Sequence, residues 1–295
     1  FRSGNVMICK EIPKTMYCHI GGSGTWGCEF PEDLNMEGIT LLKRDMEFET
    51  PFGVTACMKL YEMDASITAD HKTRQVLYVP FHGWKGLSPY NDTPSERIFW
   101  ALREAGVKYI LADGSGGGIN PLLEPGDIIC PQDFIDYTKR VSYLGKFTPY
   151  SMRMREIICP DLHRILLEKA SGVFRRVFRT GIYGVAEAPR FESAAEIQKM
   201  YADHCDVCGQ TMMPEAALAR AIGACYAALY VISNSAEGIN PNWERSIFDI
   251  YSECAPVVGK VMLEAMAAIN PETMNCHCGE NIIEMPKAVQ NRLDM

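Results

Sequence analysis

Apolar residues along the chain fall into two alternating patterns: short β-prone runs, and longer stretches in which they return every third or fourth position. The runs at 17–20, 56–60, 76–79, 109–112, 127–130 and 226–232 are bounded by glycine, proline or polar residues, which reads as strands. Helices are expected at 92–105, 162–169, 194–201, 214–222 and 243–268. In the first, Asp92 stands at an N-cap position, Ile98, Ala101, Leu102 and Ala105 share a face, and Gly106 supplies the stop. Pro214 opens the fourth, where a missing N–H costs little. Strands alternating with helices specify an α/β fold with a central mixed sheet flanked by helices, and ligands at the carboxyl ends of its strands. No repeat, low-complexity tract or long linker interrupts the 295 residues. A single domain over 1–295 is expected, with 1–15 as an N-terminal extension and 269–295 as a C-terminal tail.

Charge narrows the partners. The net charge is −8, and basic residues are scattered apart from Arg175, Arg176 and Arg179, so no nucleic-acid partner is expected. Acidity does not exclude an anionic ligand, because phosphate needs only local backbone N–H groups or positive charge. No stretch of about 18 uncharged apolar residues suggests a membrane span. The polar start has no secretory apolar region, and the expected location is cytoplasmic. Twelve cysteines in such a chain are expected to be reduced thiols. The pairs Cys205–Cys208 and Cys276–Cys278 are suggestive, but zinc needs four ligands that meet in space. They are read as buried or incidental thiols, with a small Cys276–Cys278 disulfide as the other option, and no metal site is expected.

Three strand ends are rich in small or hydroxyl groups. Gly21-Gly22-Ser23-Gly24 follows the first strand, Ser115 sits in a glycine loop at 113–118, and Cys208-Gly209-Gln210-Thr211 precedes the Pro214 helix. Backbone nests and helix N-termini are anion sites. The first glycine cluster fits neither the dinucleotide-binding spacing nor a P-loop. His82 ends a strand in Pro80-Phe81-His82-Gly83. Glu192 reads either as a solvated carboxylate at a helix N-terminus or as a ligand contact. Asn234 either caps a turn or reads a ligand edge.

These segments occur in an ordered series: IGGSG at 20–24, ETPFG at 49–53, FHG at 81–83, EPGDII at 124–129, DFIDYT at 133–138, EAPRFES at 187–193 and GQTMMPEAALAR at 209–220. In order and spacing the chain resembles the purine nucleoside phosphorylases, most of all the 5′-methylthioadenosine phosphorylase branch. The resemblance covers about residues 16 to 235 and, more loosely, the last helix. It implies the single-domain phosphorylase/hydrolase-like fold and a reaction in which phosphate attacks C1′ and purine leaves. Inorganic phosphate is then a co-substrate, with no organic cofactor. The implied roles in purine and methionine salvage follow from the same source.

Carried over position by position, the resemblance gives Ser23, His82, Ser115 and Thr211 as phosphate contacts. Phe81 stands where the family has a phosphate-binding arginine. A charge-assisted contact contributes about 1.5–3 kcal/mol, so its loss implies roughly 10- to 100-fold weaker phosphate binding. Glu192, Asn234 and Phe191 fall at the base, with Asn234 and His82 as catalytic positions. The Glu–Asn pair matches the 6-oxopurine-specific members. Gln210 lies beneath the ribose, and Ile247, Ile250 and Tyr251 surround the 5′ position, where an apolar wall favours a methylthio group over a hydroxyl. The resemblance also implies a homotrimer, with 147–155, including Tyr150, Met152 and Met154, near a subunit contact. Two alternatives remain open: a nucleoside hydrolase on the same scaffold, and a protein that binds a planar aromatic ligand without catalysis.

Overall fold

The computed structural model describes residues 7–80, 95–140, 144–147, 151–240, 245–287 and 289. Twelve strands form one mixed sheet. They are β1 (Met7–Ile8), β2 (Tyr17–Ile20), β3 (Ile39–Glu47), β4 (Met58–Met63), β5 (Arg74–Val79), β6 (Tyr109–Gly118), β7 (Ile128–Ile129), β8 (Asp133–Asp136), β9 (Val177–Phe178), β10 (Ile182–Val185), β11 (Val207–Gly209) and β12 (Cys225–Ser235). The helices among the described residues are α1 (Ser95–Ala105), α2 (Pro160–Ser171), α3 (Ala194–Ala202), α4 (Met212–Ala221) and α5 (Ile247–Ala268). The main path through the sheet is β1-β3-β4-β5-β2-β6-β11-β10-β8, and β12 pairs with β6 and β7. This is the expected α/β architecture with a mixed central sheet.

The centre of the sheet is β6 beside β12, parallel and in register from Tyr109↔Cys225 to Ser115↔Val231. Between its half-buried ends β12 is buried throughout, and its apolar run is what a strand covered on both faces requires. Helices α2 and α5 pack on each other and on β12. The α5 helix begins at Ile247, where the Ser246 hydroxyl accepts the Phe248 N–H at 3.2 Å. That is later than residue 243, which lies outside the described residues, as does Asp92 ahead of α1.

Two sequence expectations change. The loop at 113–118 is instead the second half of β6. Its glycines serve close packing rather than a free turn: a Cβ on Gly116 would lie 2.6 Å from Val207 Cγ2 and 2.7 Å from the Cys208 carbonyl oxygen. Strand β3 was not anticipated, because Lys43-Arg44-Asp45 interrupts its alternation and most of its residues are exposed or half-buried.

The pairing around β6 positions the site. Strand β2 runs parallel to β6 and stops with Ile20 opposite Ala112. Strand β11 runs antiparallel, with Val207 opposite Gly118 and Cys208 opposite Gly117. The carboxyl ends of β2 and β11 therefore approach Asp113–Gly116 from opposite directions. Strand β5 ends beside β2, with Val79 opposite Ile20, and β10 ends beside β11, with Val185 opposite Gly209. Two strand ends thus meet at one short stretch of β6, and each has a second strand end beside it.

Gly116→Ala is expected to lower stability by roughly 1–3 kcal/mol, because backbone as well as side chain must shift. Urea unfolding of both proteins would show this, and an unchanged midpoint would mean that β11 can move away freely.

Candidate functional site

The first cluster lies between the ends of β2 and β11. The Ser23 and Ser115 hydroxyls are 2.7 Å apart, and Ser115 donates to the Tyr251 hydroxyl at 3.0 Å. Thr211 follows β11, and its Oγ1 lies 3.5 Å from the place a Cβ would take on Gly114. Its hydroxyl donates to Tyr230 and its N–H to Tyr183, both at 3.4 Å, which are long bonds. Of the four expected phosphate contacts, Ser23 and Ser115 meet through their hydroxyls, and Thr211 lies beside Gly114, the residue before Ser115. The fourth, His82, and the adjoining Phe81 lie outside the described residues.

Asp113 holds the Ser23 loop against β6. Its buried carboxylate accepts the His19 Nε2–H at 2.8 Å, the Gly22 N–H at 3.2 Å and the Thr25 hydroxyl at 3.1 Å. Gly21 passes so close to Tyr78 that a Cβ there would lie 2.3 Å from its hydroxyl. A side chain at Gly21 or the loss of Asp113 would move Ser23.

The second cluster is centred on Gly117. A Cβ at that position would lie 3.2 Å from both Asn234 Nδ2 and Cys208 Sγ. Cys208 Sγ is in turn 3.7 Å from Glu192 Oε2. Asn234 is delivered by a register shift in β12 between Ile232 and Asn234, a bulge that re-aims the side chain. The Ser233 hydroxyl donates to its Oδ1 at 2.7 Å, and its Nδ2 donates to the Ser235 carbonyl at 3.0 Å. Each amide end keeps one further hydrogen-bonding capacity.

Glu192 precedes α3, whose cap is Ser193 in a reciprocal box with Glu196. The carboxylate is buried rather than solvated, which corrects that part of the sequence reading. Burial pushes its pKa above the ordinary range, opposed by weaker hydrogen bonds from its own backbone N–H and from Cys208. Phe191 beside it is exposed.

Of the residues expected around the sugar, Tyr251 reaches the first cluster through Ser115. Its ring meets Trp26 and Phe248 edge-on, at 6.0 and 6.1 Å between centroids. Ile250 is wholly buried in the main core and Ile247 is half-buried. Gln210 donates from Nε2 to the Arg190 carbonyl at 2.8 Å, tying the Glu192 approach to the Thr211 approach. Sequence reasoning missed Arg140. Its guanidinium bonds the carbonyls of Gln210, Met213 and Ala186 and the Glu187 carboxylate, stapling the exits of β10 and β11 together. It also missed Trp26, although that residue lies within the first glycine-rich segment, and the Tyr183–Tyr230 pair beneath Thr211. Their positions follow from long-range packing that no local pattern records.

Ser115 and Gly117 are two residues apart on one strand, so they share a face and stand about 7 Å apart. The Ser23 and Ser115 hydroxyls thus stand at one end of this separation, and Asn234 with the Cys208–Glu192 contact at the other, at the strand ends of a mixed α/β sheet. The fold matches the crystal structure of methylthioadenosine phosphorylase sourced from an antarctic soil metagenomic library, with a TM-score of 0.75 and 24% identity over 91% of each chain. The chain belongs to the phosphorylase superfamily, whose family model matches residues 41–266. It is 33% identical over 241 residues to a probable S-methyl-5′-thioinosine phosphorylase of Methanopyrus kandleri, covering 78% of this chain and 88% of the relative. It is 28% identical over 265 residues to a probable 6-oxopurine nucleoside phosphorylase of Moorella thermoacetica, covering 88% of this chain and 95% of the relative.

The raised Glu192 pKa has a consequence for stability. Burial penalises its charged form, so its contribution is greatest in acid and is lost as the pH rises through the folded-state pKa. Glu192→Gln is expected to raise the melting temperature relative to the parent at about pH 8 and to leave it nearly unchanged at about pH 4. Thermal unfolding across that range checks the sign, and a variant less stable than the parent at the alkaline end would refute it.

Proposed function

We infer that this protein catalyses the phosphorolysis of a purine nucleoside, releasing free purine and a pentose 1-phosphate. The observation that carries the reading is the pair of clusters on β6, one rich in hydroxyls and suited to an anion, the other suited to bond a base edge. A pentose spans the distance between them. Phosphate held by Ser23, Ser115 and Thr211, with His82, which follows β5 in the chain, attacks C1′ as the C1′–N9 bond breaks. The sugar passes through an oxocarbenium-like state, and the electrons of the broken bond move into the purine. The protein's task is to place charge and donors where the transition state needs them.

Asn234 is suited to donate from Nδ2 to N7 or O6 of the departing base, which makes purine a better leaving group. Ionised Glu192 is suited to accept an N1–H, a proton that 6-oxopurines carry and adenine lacks. This favours 5′-methylthioinosine-like or other 6-oxopurine nucleosides, and the relatives named for those substrates support it. Tyr251, Trp26 and Phe248 give the 5′ side an aromatic wall suited to a methylthio group. Phosphate is the co-substrate, and no organic cofactor enters the scheme. The proposed assembly is a homotrimer, supported by the exposed Trp26 and Phe248 rings near the site, which a neighbouring subunit would cover.

The test is purine release from 5′-methylthioadenosine, 5′-methylthioinosine and inosine, with and without phosphate. Phosphate-dependent release, fastest from the 6-oxopurine substrates, is expected. Release independent of phosphate would identify a hydrolase, and no release would leave a ligand-binding protein on this scaffold. Phe81→Arg restores the charge that the family places there and is expected to lower the KM for phosphate roughly 10- to 100-fold. An unchanged KM would remove position 81 from the phosphate site.

A further inference from the structure

We propose that Cys159, Cys225, Cys276 and Cys278 form a structural tetrathiolate zinc site that clamps the C-terminal segment to the central sheet. Their four sulfurs all lie within 4.8 Å of one another. Tetrahedral zinc with bonds of about 2.3 Å sets its sulfurs about 3.8 Å apart, so the four thiols already surround a volume of the right size. Cys225 and Cys276 sulfurs stand 3.4 Å apart. A multi-iron cluster is wider and would hold its cysteines farther from one another.

The ligands come from three places in the fold. Cys159 caps α2, Cys225 opens β12, and Cys276 and Cys278 lie beyond α5, with Cys278 starting the Cys278–Asn281 turn. Bonds independent of the sulfurs hold these segments together. The Cys159 N–H donates to the Tyr226 carbonyl at 2.8 Å, and the Asn275 N–H to the Asp161 carboxylate at 2.7 Å. Beyond Cys278, Ile282–Ile283 pairs with Ser151–Met152. The Cys276-His277-Cys278 segment is thus pinned on both sides, and His277 points its ring to solvent, bonded to Glu280.

The charge environment suits thiolates. The Arg220 guanidinium stands close enough to interact electrostatically with Cys278, Cys225 and Cys159. Arg220 is buried and anchored to the carbonyls of Arg153 and Glu156, both at 2.7 Å. On binding, each thiol still protonated releases its proton to solvent and forms one zinc–sulfur bond. The resulting centre carries two negative charges, and the fixed guanidinium offsets one of them. A pair of disulfides would present no charge for it to meet.

The experiment is the metal content of the full chain, purified under reducing conditions without added chelator. About one zinc per chain is expected, falling at least about tenfold in a Cys276→Ser/Cys278→Ser variant and unchanged in Cys57→Ser. If the double variant fails to fold, the wild-type protein stripped of metal and reloaded with Co2+ decides. Intense visible bands of tetrahedral cobalt with thiolate-to-metal charge transfer support the site. Removing the metal should also expose the chain beyond residue 274 to limited proteolysis. Less than about 0.1 metal ion per chain with no cobalt bands, iron in place of zinc, or the four cysteines oxidised to disulfides would each overturn it.

Discussion

Asp113 is a carboxylate buried at the centre of the sheet, and its four hydrogen bonds decide where the loop that carries Ser23 can be. Removing a charge from water is costly unless the charge is hydrogen-bonded, and here His19, Gly22 and Thr25 supply the donors. The arrangement demands a donor at His19 Nε2, which leaves its buried Nδ1 without a partner. The loop after β2 follows from this anchoring, and Ser23 follows from the loop. A residue that touches no ligand in the proposed chemistry thereby places one that does.

The site is divided between two kinds of support. Around Ser115 the ligating groups are hydroxyls backed by phenols and held by sheet pairing. Around Gly117 they are a carboxylate and an amide backed by a thiol and by the side chain and backbone of the bulge residues. Arg140 and the Gln210–Arg190 bond join the two halves from outside the sheet. In the proposed reaction, base preference and anion binding would rest on different contacts, which accords with a superfamily whose relatives are named for several purine nucleosides.

Much of the fold was legible in the chain. Strand β2 and the buried stretch of β12 announced themselves as short apolar runs, and α1 and α3 as periodic stretches, the first with its Gly106 stop. What hid β3 was its exposure: a strand with one face in water and charges at 43–45 lacks the signal of a buried one. The glycines of β6 misled for a different reason. Glycine marks both free turns and tight packing, and only the approach of Val207 and Cys208 tells them apart. At the site, Ser23, Ser115, Thr211, Glu192, Asn234 and Tyr251 could be named because they sit in ordered segments that resemble a family. Arg140, Trp26 and Asp113 could not, since their partners are distant in sequence. The Cys276-His277-Cys278 segment was visible as a spacing, but its companions at Cys159 and Cys225 are more than fifty positions away and belong to no motif.

The geometry of β6 also acts as a ruler with a parity. Because side chains alternate along a strand, inserting or deleting one residue between Ser115 and Gly117 would turn one cluster to the opposite face of the sheet rather than merely lengthen the site. Variation at this point of the chain is therefore constrained in count as well as in kind. Residues around either end can be exchanged, but the strand between them admits no odd change of length without turning the two clusters to opposite faces.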